Sequence, residues 1–277
     1  MSRKSDAILE IEAGKLEKQY LKDIWSFREL FFFLVWRDFL VRYKQTAIGF
    51  LWAFIKPAIT LVIFSVLFGS FAHLPNDGVP YPLLVISGLI PWTFFANAMS
   101  ESSNSLINNS NLISKVYFPR LIVPSSTIIL SFVDFIISFL ILIILMIWFK
   151  YVPPWQLITL PFFIIIALVA SLGSGMWLSA LNIKYRDFRQ ITPFIVQIGA
   201  YISPVAFSQS IIPGQWRLLY SLNPMVGVID GFRWAILGGK FDVYIPGLIL
   251  SIVLVTVIFI TGFRYFRKTE RIFADII

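Results

Sequence analysis

Residues Lys184–Gln190 read KYRDFRQ, which places three cations, an acid, a tyrosine and a glutamine in seven positions. The chain on either side is almost purely apolar. Charge confined in this way can hold a loop on one side of a membrane, because Lys and Arg resist translocation. It can also dock on another protein. A second candidate is Asp134, near the middle of the apolar run 121–149. An acid at such a depth is costly and is a functional candidate by default. The plainer reading is a protonated or hydrogen-bonded packing residue. No second buried acid or cation accompanies it in the runs, so a proton relay is poorly supported.

Other chemistry is missing. There is no cysteine, and the single histidine, His73, has no His partner. No metal site is expected, and His73 reads as an interfacial residue. The "GKL" at Gly14 and "GKF" at Gly239 lack the loop and the Ser/Thr of a phosphate-binding motif. HExxH, GxSxG and paired carboxylates are not evident. No cofactor is expected on this chain, and it is not expected to be an enzyme. Energy for any work would come from a partner on the cytoplasmic side.

The elements that carry these residues follow from composition. Of 277 residues, 58% are hydrophobic and 14% charged, and the mean hydropathy is +0.80. So few charges could hardly cover a water-soluble surface. The fold class expected is an all-α integral membrane protein. The net charge of +8 does not point to nucleic acid, because the cations flank apolar spans instead of forming one patch.

A hydrocarbon core of about 30 Å needs about 20 apolar residues. Six transmembrane helices are predicted, at 49–73, 81–100, 121–149, 157–182, 191–207 and 244–263. The stretch 222–238 is short and interrupted by Pro224, Gly227 and Gly231. It is predicted as a re-entrant outer hairpin between spans five and six, since irregular backbone at membrane depth must be sheltered by protein. Residues 25–45 carry a short apolar run bracketed by Arg28, Arg37 and Arg42, with Trp36 inside it. They are predicted as an interfacial helix. Residues 1–24 are charged throughout and lack the apolar run of a signal peptide. They are expected as a cytoplasmic tail, partly disordered or folded on a partner, and 25–277 as one membrane domain.

With the N-terminus inside, every Lys and Arg except Lys150, Arg217, Arg233 and Lys240 falls on the inner side. Both termini are therefore expected in the cytoplasm. Ala167, Ser171, Gly175 and Ser179 recur every four residues. Such a stripe lets backbones approach closely, within the chain or at a dimer seam.

Five stretches carry a family resemblance: NNSNLISKVYFPRLIVPSS (108–126), NIKYRDFRQITPF (182–194), YISPVAFS (201–208), LNPMVGVIDGFRWAILGG (222–239) and YFRKTERIFADII (265–277). Taken in this order, they resemble permease subunits of type-2 ABC exporters, in the polysaccharide and lipopolysaccharide O-antigen branch. The resemblance implies a homodimer in the bacterial inner membrane. It implies two copies of a separate nucleotide-binding subunit that hold ATP and Mg2+. The implied substrate is a polyprenyl-diphosphate-linked glycan. By position, Lys115, Phe118, Pro119 and Arg120 would form a first coupling segment to the ATPase, and Arg186, Asp187 and Gln190 a second. The interfacial helix, with Arg28, Trp36, Arg37 and Arg42, would flank the access route of the lipid-linked substrate. Alternatives are a teichoic-acid or capsular polysaccharide permease, or a membrane-embedded glycosyl- or acyltransferase. A transferase would need a catalytic cluster at one interface. A proton-coupled transporter would show repeats and several buried ionisable groups.

Overall fold

The computed structural model of the chain describes residues 17–44, 50–185 and 187–273. Helices make up 83% of it, with no strand among the described residues. This follows from the composition, since a helix satisfies its backbone within one segment and so tolerates an apolar solvent.

α1 (Glu17–Ser26) and α2 (Arg28–Tyr43) precede α3 (Leu51–Phe64), which continues as a π-helical segment, Ser65–Phe71. Next come α4 (Tyr81–Asn108), the short α5 (Ser110–Lys115), α6 (Ile122–Trp148) and α7 (Leu160–Lys184). The chain ends with α8 (Phe188–Ile202), α9 (Gly214–Tyr220), α10 (Pro224–Leu237) and α11 (Ile245–Thr269).

Five stretches are long and apolar enough to cross a membrane: Leu51–Phe71, Tyr81–Asn108, Ile122–Trp148, Trp155–Lys184 and Ile245–Ile272. They coincide with five of the six predicted spans. The remaining prediction, 191–207, falls on α8, whose 15 residues make only about 22 Å of helix. The helix stops because Pro204 forces the residue before it to be extended, and Ser203 has ψ 149°. The predicted interfacial helix 25–45 falls on parts of two helices, since α1 runs to Ser26 and α2 starts at Arg28.

α4 is the hub. Leu83, Leu84, Val85 and Ile86 are fully buried, and α6, α7 and α10 all pack on it. The rings of Phe94, Phe135 and Phe232 tie α4, α6 and α10 together, with centroids 5.5 and 6.2 Å apart. Trp92 and Phe95 also belong to this core. α3 is the opposite case. Its apolar side chains, among them Ile59, Val62 and Ile63, are left uncovered.

The structure decides between two readings in one place and corrects an expectation in another. The small-residue stripe of α7 takes the reading of packing within the chain. It packs on α4 of the same chain, where a Cβ added at Gly175 would lie 2.7 Å from Ser102 Cβ. The stretch 222–238 is not broken. Pro224 sits in the first turn of α10, where a missing N–H costs nothing, and the Asn223 side chain accepts from the Met225 N–H at 3.0 Å. Gly227 makes room for Ser251, whose hydroxyl accepts its N–H at 3.2 Å. The result is a nearly wholly buried helix between α4, α7 and α11.

The bundle has two ends. Arg37 reaches Asn109 and Arg120 reaches Glu270 at one end. At the other, the Tyr81 hydroxyl donates to the Ala206 carbonyl at 2.5 Å and Ser210 donates to Asp77 at 3.5 Å. α8 starts at the first end and the chain reaches the second by Val205–Ser210.

Candidate functional site

The charged end of the bundle carries two ionic clusters, and α2 builds the first. Leu34, 1% exposed, anchors the helix, while Phe32, Phe33 and Trp36 point outward and stay exposed. Arg42 follows Arg37 by five positions, which puts them at two heights along the helix. Arg37 donates to its neighbour Asp38 at 2.7–2.8 Å and to the Asn109 side-chain oxygen at 2.8 Å. Arg42 donates to Glu101 at 2.6 Å and to Asp134 at 2.8 Å. The Tyr43 hydroxyl donates a short hydrogen bond to the other Asp134 oxygen. Burial first, and then that hydrogen bond, hold the Tyr43 phenol well above its ordinary range. It therefore stays a donor through the neutral range.

This answers what Asp134 does in the fold. The sequence shows no buried cation beside it, but Arg42 stands 92 residues upstream and meets it across α2 and α6. Asp134 lies twelve residues into α6, about 18 Å along the helix. α2 therefore climbs along α6 from Asn109 toward Asp134, drawn in by two acids. Arg28 stays exposed, with one contact to the Trp25 carbonyl at 3.5 Å.

The second cluster centres on Glu270, 8% exposed. Its carboxylate accepts from the Tyr20 hydroxyl at 3.1 Å, the Arg120 N–H at 2.9 Å and Arg267 at 2.9 Å. The Arg120 guanidinium donates a short bond to the Glu270 carbonyl. Arg267 also lies 3.5 Å over the Tyr20 ring, a cation–π contact. Burial, followed by the Glu270 charge, raises the Tyr20 phenol above its usual range. Beneath both clusters an apolar layer joins Leu34, Ile113, Phe118, Ile183, Phe266 and Phe273.

The predicted site residues thus take different places. Phe118 and Pro119 are buried, Arg120 is committed to Glu270, and Lys115 and Tyr117 are exposed. Asp187 and Gln190 are exposed at the start of α8, where an acid suits the positive end of the helix dipole. Arg186 lies outside the described residues. Both loop segments are at the same end of the bundle, joined through Ile113 and Ile183. Sequence reasoning missed Tyr20, Tyr43, Glu101 and Glu270. Glu101 directly follows a predicted span, a signal that could have flagged it.

A helical bundle with five long apolar helices, an uncovered α3 and a charged layer at one end is a multi-pass membrane protein. Residues 29–237 match the family described as ABC-2 type transporter, and the chain belongs to that family. Its O-antigen-branch resemblance is matched by relatives. The O-antigen export system permease protein RfbA of Klebsiella pneumoniae is 27% identical over 250 residues, covering 87% of this chain and 92% of that one. The protein of the same name from Myxococcus xanthus is 25% identical, covering 77% and 82%. The polysialic acid transport protein KpsM of Escherichia coli is 24% identical, covering 84% and 91%. The chain is accordingly a transport permease.

Proposed function

We propose that this chain is the membrane subunit of an ATP-driven exporter that carries a polyprenyl-diphosphate-linked, O-antigen-like polysaccharide across the bacterial inner membrane. The observation that carries the reading is nearly end-to-end similarity to relatives named for O-antigen export. The likeness to a polysialic acid transport protein favours a capsular polysaccharide as the second substrate class.

Two copies of the chain pair with two copies of a cytoplasmic nucleotide-binding subunit, which holds ATP and Mg2+. The uncovered apolar face of α3 suits a second copy or lipid. Both termini are cytoplasmic, in keeping with the distribution of Lys and Arg. α8 and the extended residues after it form a fifth crossing and α11 the sixth. Support comes from the path of the chain: it leaves α7 at the charged end and bonds Tyr81 at the other. α10 is a sheltered outer element. α2, with outward Trp36 and Phe33, borders the route by which the lipid-linked substrate arrives.

The exposed residues Lys115, Asp187 and Gln190, together with Arg186, receive the push of the ATPase. Phe118, Pro119 and Arg120 shape the first segment from below. The loop is short, and Pro193 lies inside α8, so force on the loop passes into that helix. The double change Arg186→Ala with Asp187→Ala is expected to leave insertion intact, because Lys184 and Arg189 still mark the inner side. Glycan export and ATPase activity of the complex, at matched permease levels, should both fall by tenfold or more. Wild-type values for both would reduce this loop to a topology signal.

A further inference from the structure

α8 is held unevenly. Within one copy of the chain only Thr192 of its 15 residues is buried. The strap that follows it is buried throughout residues 203–206. A helix with so few buried contacts is easily displaced. The strap is not helical and cannot pair its carbonyls along a helix, yet buried carbonyls need partners.

Three successive carbonyls of the strap find donors on other elements. Val205 accepts from Arg233 Nη2 at 2.7 Å, Ala206 from the Tyr81 hydroxyl at 2.5 Å and Phe207 from Arg233 Nη1 at 2.6 Å. Arg233 Nε reaches the Leu84 carbonyl at 3.4 Å. One guanidinium, 1% exposed, thus joins α10, the first turn of α4 and the strap. Gly88 leaves the room for it: a Cβ there would lie 2.7 Å from both Arg233 Nη2 and the Val205 carbonyl oxygen. At the start of the strap, the Asn223 side-chain amide donates to the Ser203 hydroxyl at 2.8 Å. Burial disfavours the Arg233 charge, and the field of Asp230, three residues earlier on α10, offsets part of that cost. An arginine presents several donors in one fixed plane, which a lysine does not.

A helix that is loose along its length and fixed at one end answers force as a lever. A push on the inner loop enters α8 before Pro193, and the anchored strap resists at the far end. We propose that Arg233, assisted by Tyr81, is a positioning residue for transport. It pins the outer end of α8, so that a push on residues 184–190 tilts and bends the helix and does not drag the strap inward. The pin stands on the hydrogen bonds, and only its use in transport rests on the exporter reading above. Arg233 touches no substrate in this role. Releasing the pin leaves the ATPase-facing loops intact at the other end of the bundle, but the stroke is absorbed in the freed strap.

The pin is tested first on the full chain in lipid nanodiscs. The chain has no cysteine, so Ala206→Cys places a single thiol in the buried strap, where it should react slowly with a maleimide. Arg233→Met removes the charged donor of two strap bonds and should speed that reaction about tenfold or more, while Tyr81→Phe removes one neutral bond and should speed it about threefold. Arg233→Lys keeps the charge, loses the fork and should fall between wild type and Arg233→Met. Lys150→Gln, exposed and outside the strap, should react as wild type. Wild-type rates in the Arg233 variants overturn the pin. If those variants do not fold, Tyr81→Phe decides: a faster rate supports the pin and the wild-type rate overturns it. Transport is then read with the ATPase subunit present and without the introduced cysteine, at matched melting temperature and permease level. Arg233→Lys should keep ATPase activity within about twofold of wild type while glycan export falls about fivefold or more. A general loss of stability would lower both together. Tyr81→Phe carries the same comparison if Arg233→Lys does not fold. An unchanged ratio of ATP hydrolysed to glycan exported overturns the role in transport. A wild-type chain that neither binds the ATPase nor exports glycan overturns the exporter reading, and the thiol rates still decide the pin.

Discussion

Arg42 shows how one side chain sets the geometry of the charged end. It bridges Glu101 on α4 and Asp134 on α6, so losing it strands an acid at membrane depth. Hydrogen bonds to charged groups are worth about 1.5–3 kcal/mol, and partial exposure of this pair lowers that to about 1–2 kcal/mol. Arg42→Ala should therefore reduce thermal stability in detergent by several degrees, read by light scattering on heating. Replacing a pair by apolar residues of similar size is often neutral. Arg42→Met with Asp134→Leu should accordingly recover most of the loss. Equal melting of Arg42→Ala and wild type would show that the pair does not hold α2 in place.

At the scale of elements, α4 and α7 owe their contact to small residues. Lipid gives helices no hydrophobic reason to associate, so close packing must supply the attraction. Ser171 and Ser179, on the same face of α7 as Gly175, are fully buried. Their hydroxyls are satisfied within α7 by the carbonyls of Ala167 and Met176. Gly175→Leu forces a branched side chain against Ser102, at a cost of about 1–3 kcal/mol. The yield of monodisperse protein should fall. Trp177→Leu, two residues away on an exposed face, should behave as wild type. Similar yields from both would mean that α7 is free to shift away from α4.

For the whole molecule, the distribution of charge makes a prediction about sidedness. The chain has no cysteine, so single cysteines can be introduced without background. Asp77 and Asp187 are both exposed and lie at opposite ends of the bundle. Asp77→Cys should react with an impermeant thiol reagent applied to intact spheroplasts. Asp187→Cys should react only after the membrane is opened. The reverse pattern would invert the orientation and move the charged layer away from any cytoplasmic ATPase.

The sequence by itself determined the helical class, the five helices long and apolar enough to cross a membrane, and the placing of charge at one end. Each of these rests on local composition: runs of about 20 apolar residues and flanking Lys and Arg. The motif order also sufficed to point to the family. Partnership was decided only by the tertiary structure. Asp134 looked unaccompanied because Arg42 is far away in sequence and adjacent only once α2 climbs along α6. Gly227 and Gly231 looked like breaks, yet they are places where Ser251 and Phe163 press against α10. A glycine that breaks a helix and one that admits a neighbour are the same letter in a sequence. Arg120 was legible as a charged loop residue, but its commitment to Glu270, 150 residues later, was not. Periodicity reports which face of a helix is apolar. Only the packed bundle decides which polar groups that face brings together, because those contacts join segments that no local pattern relates.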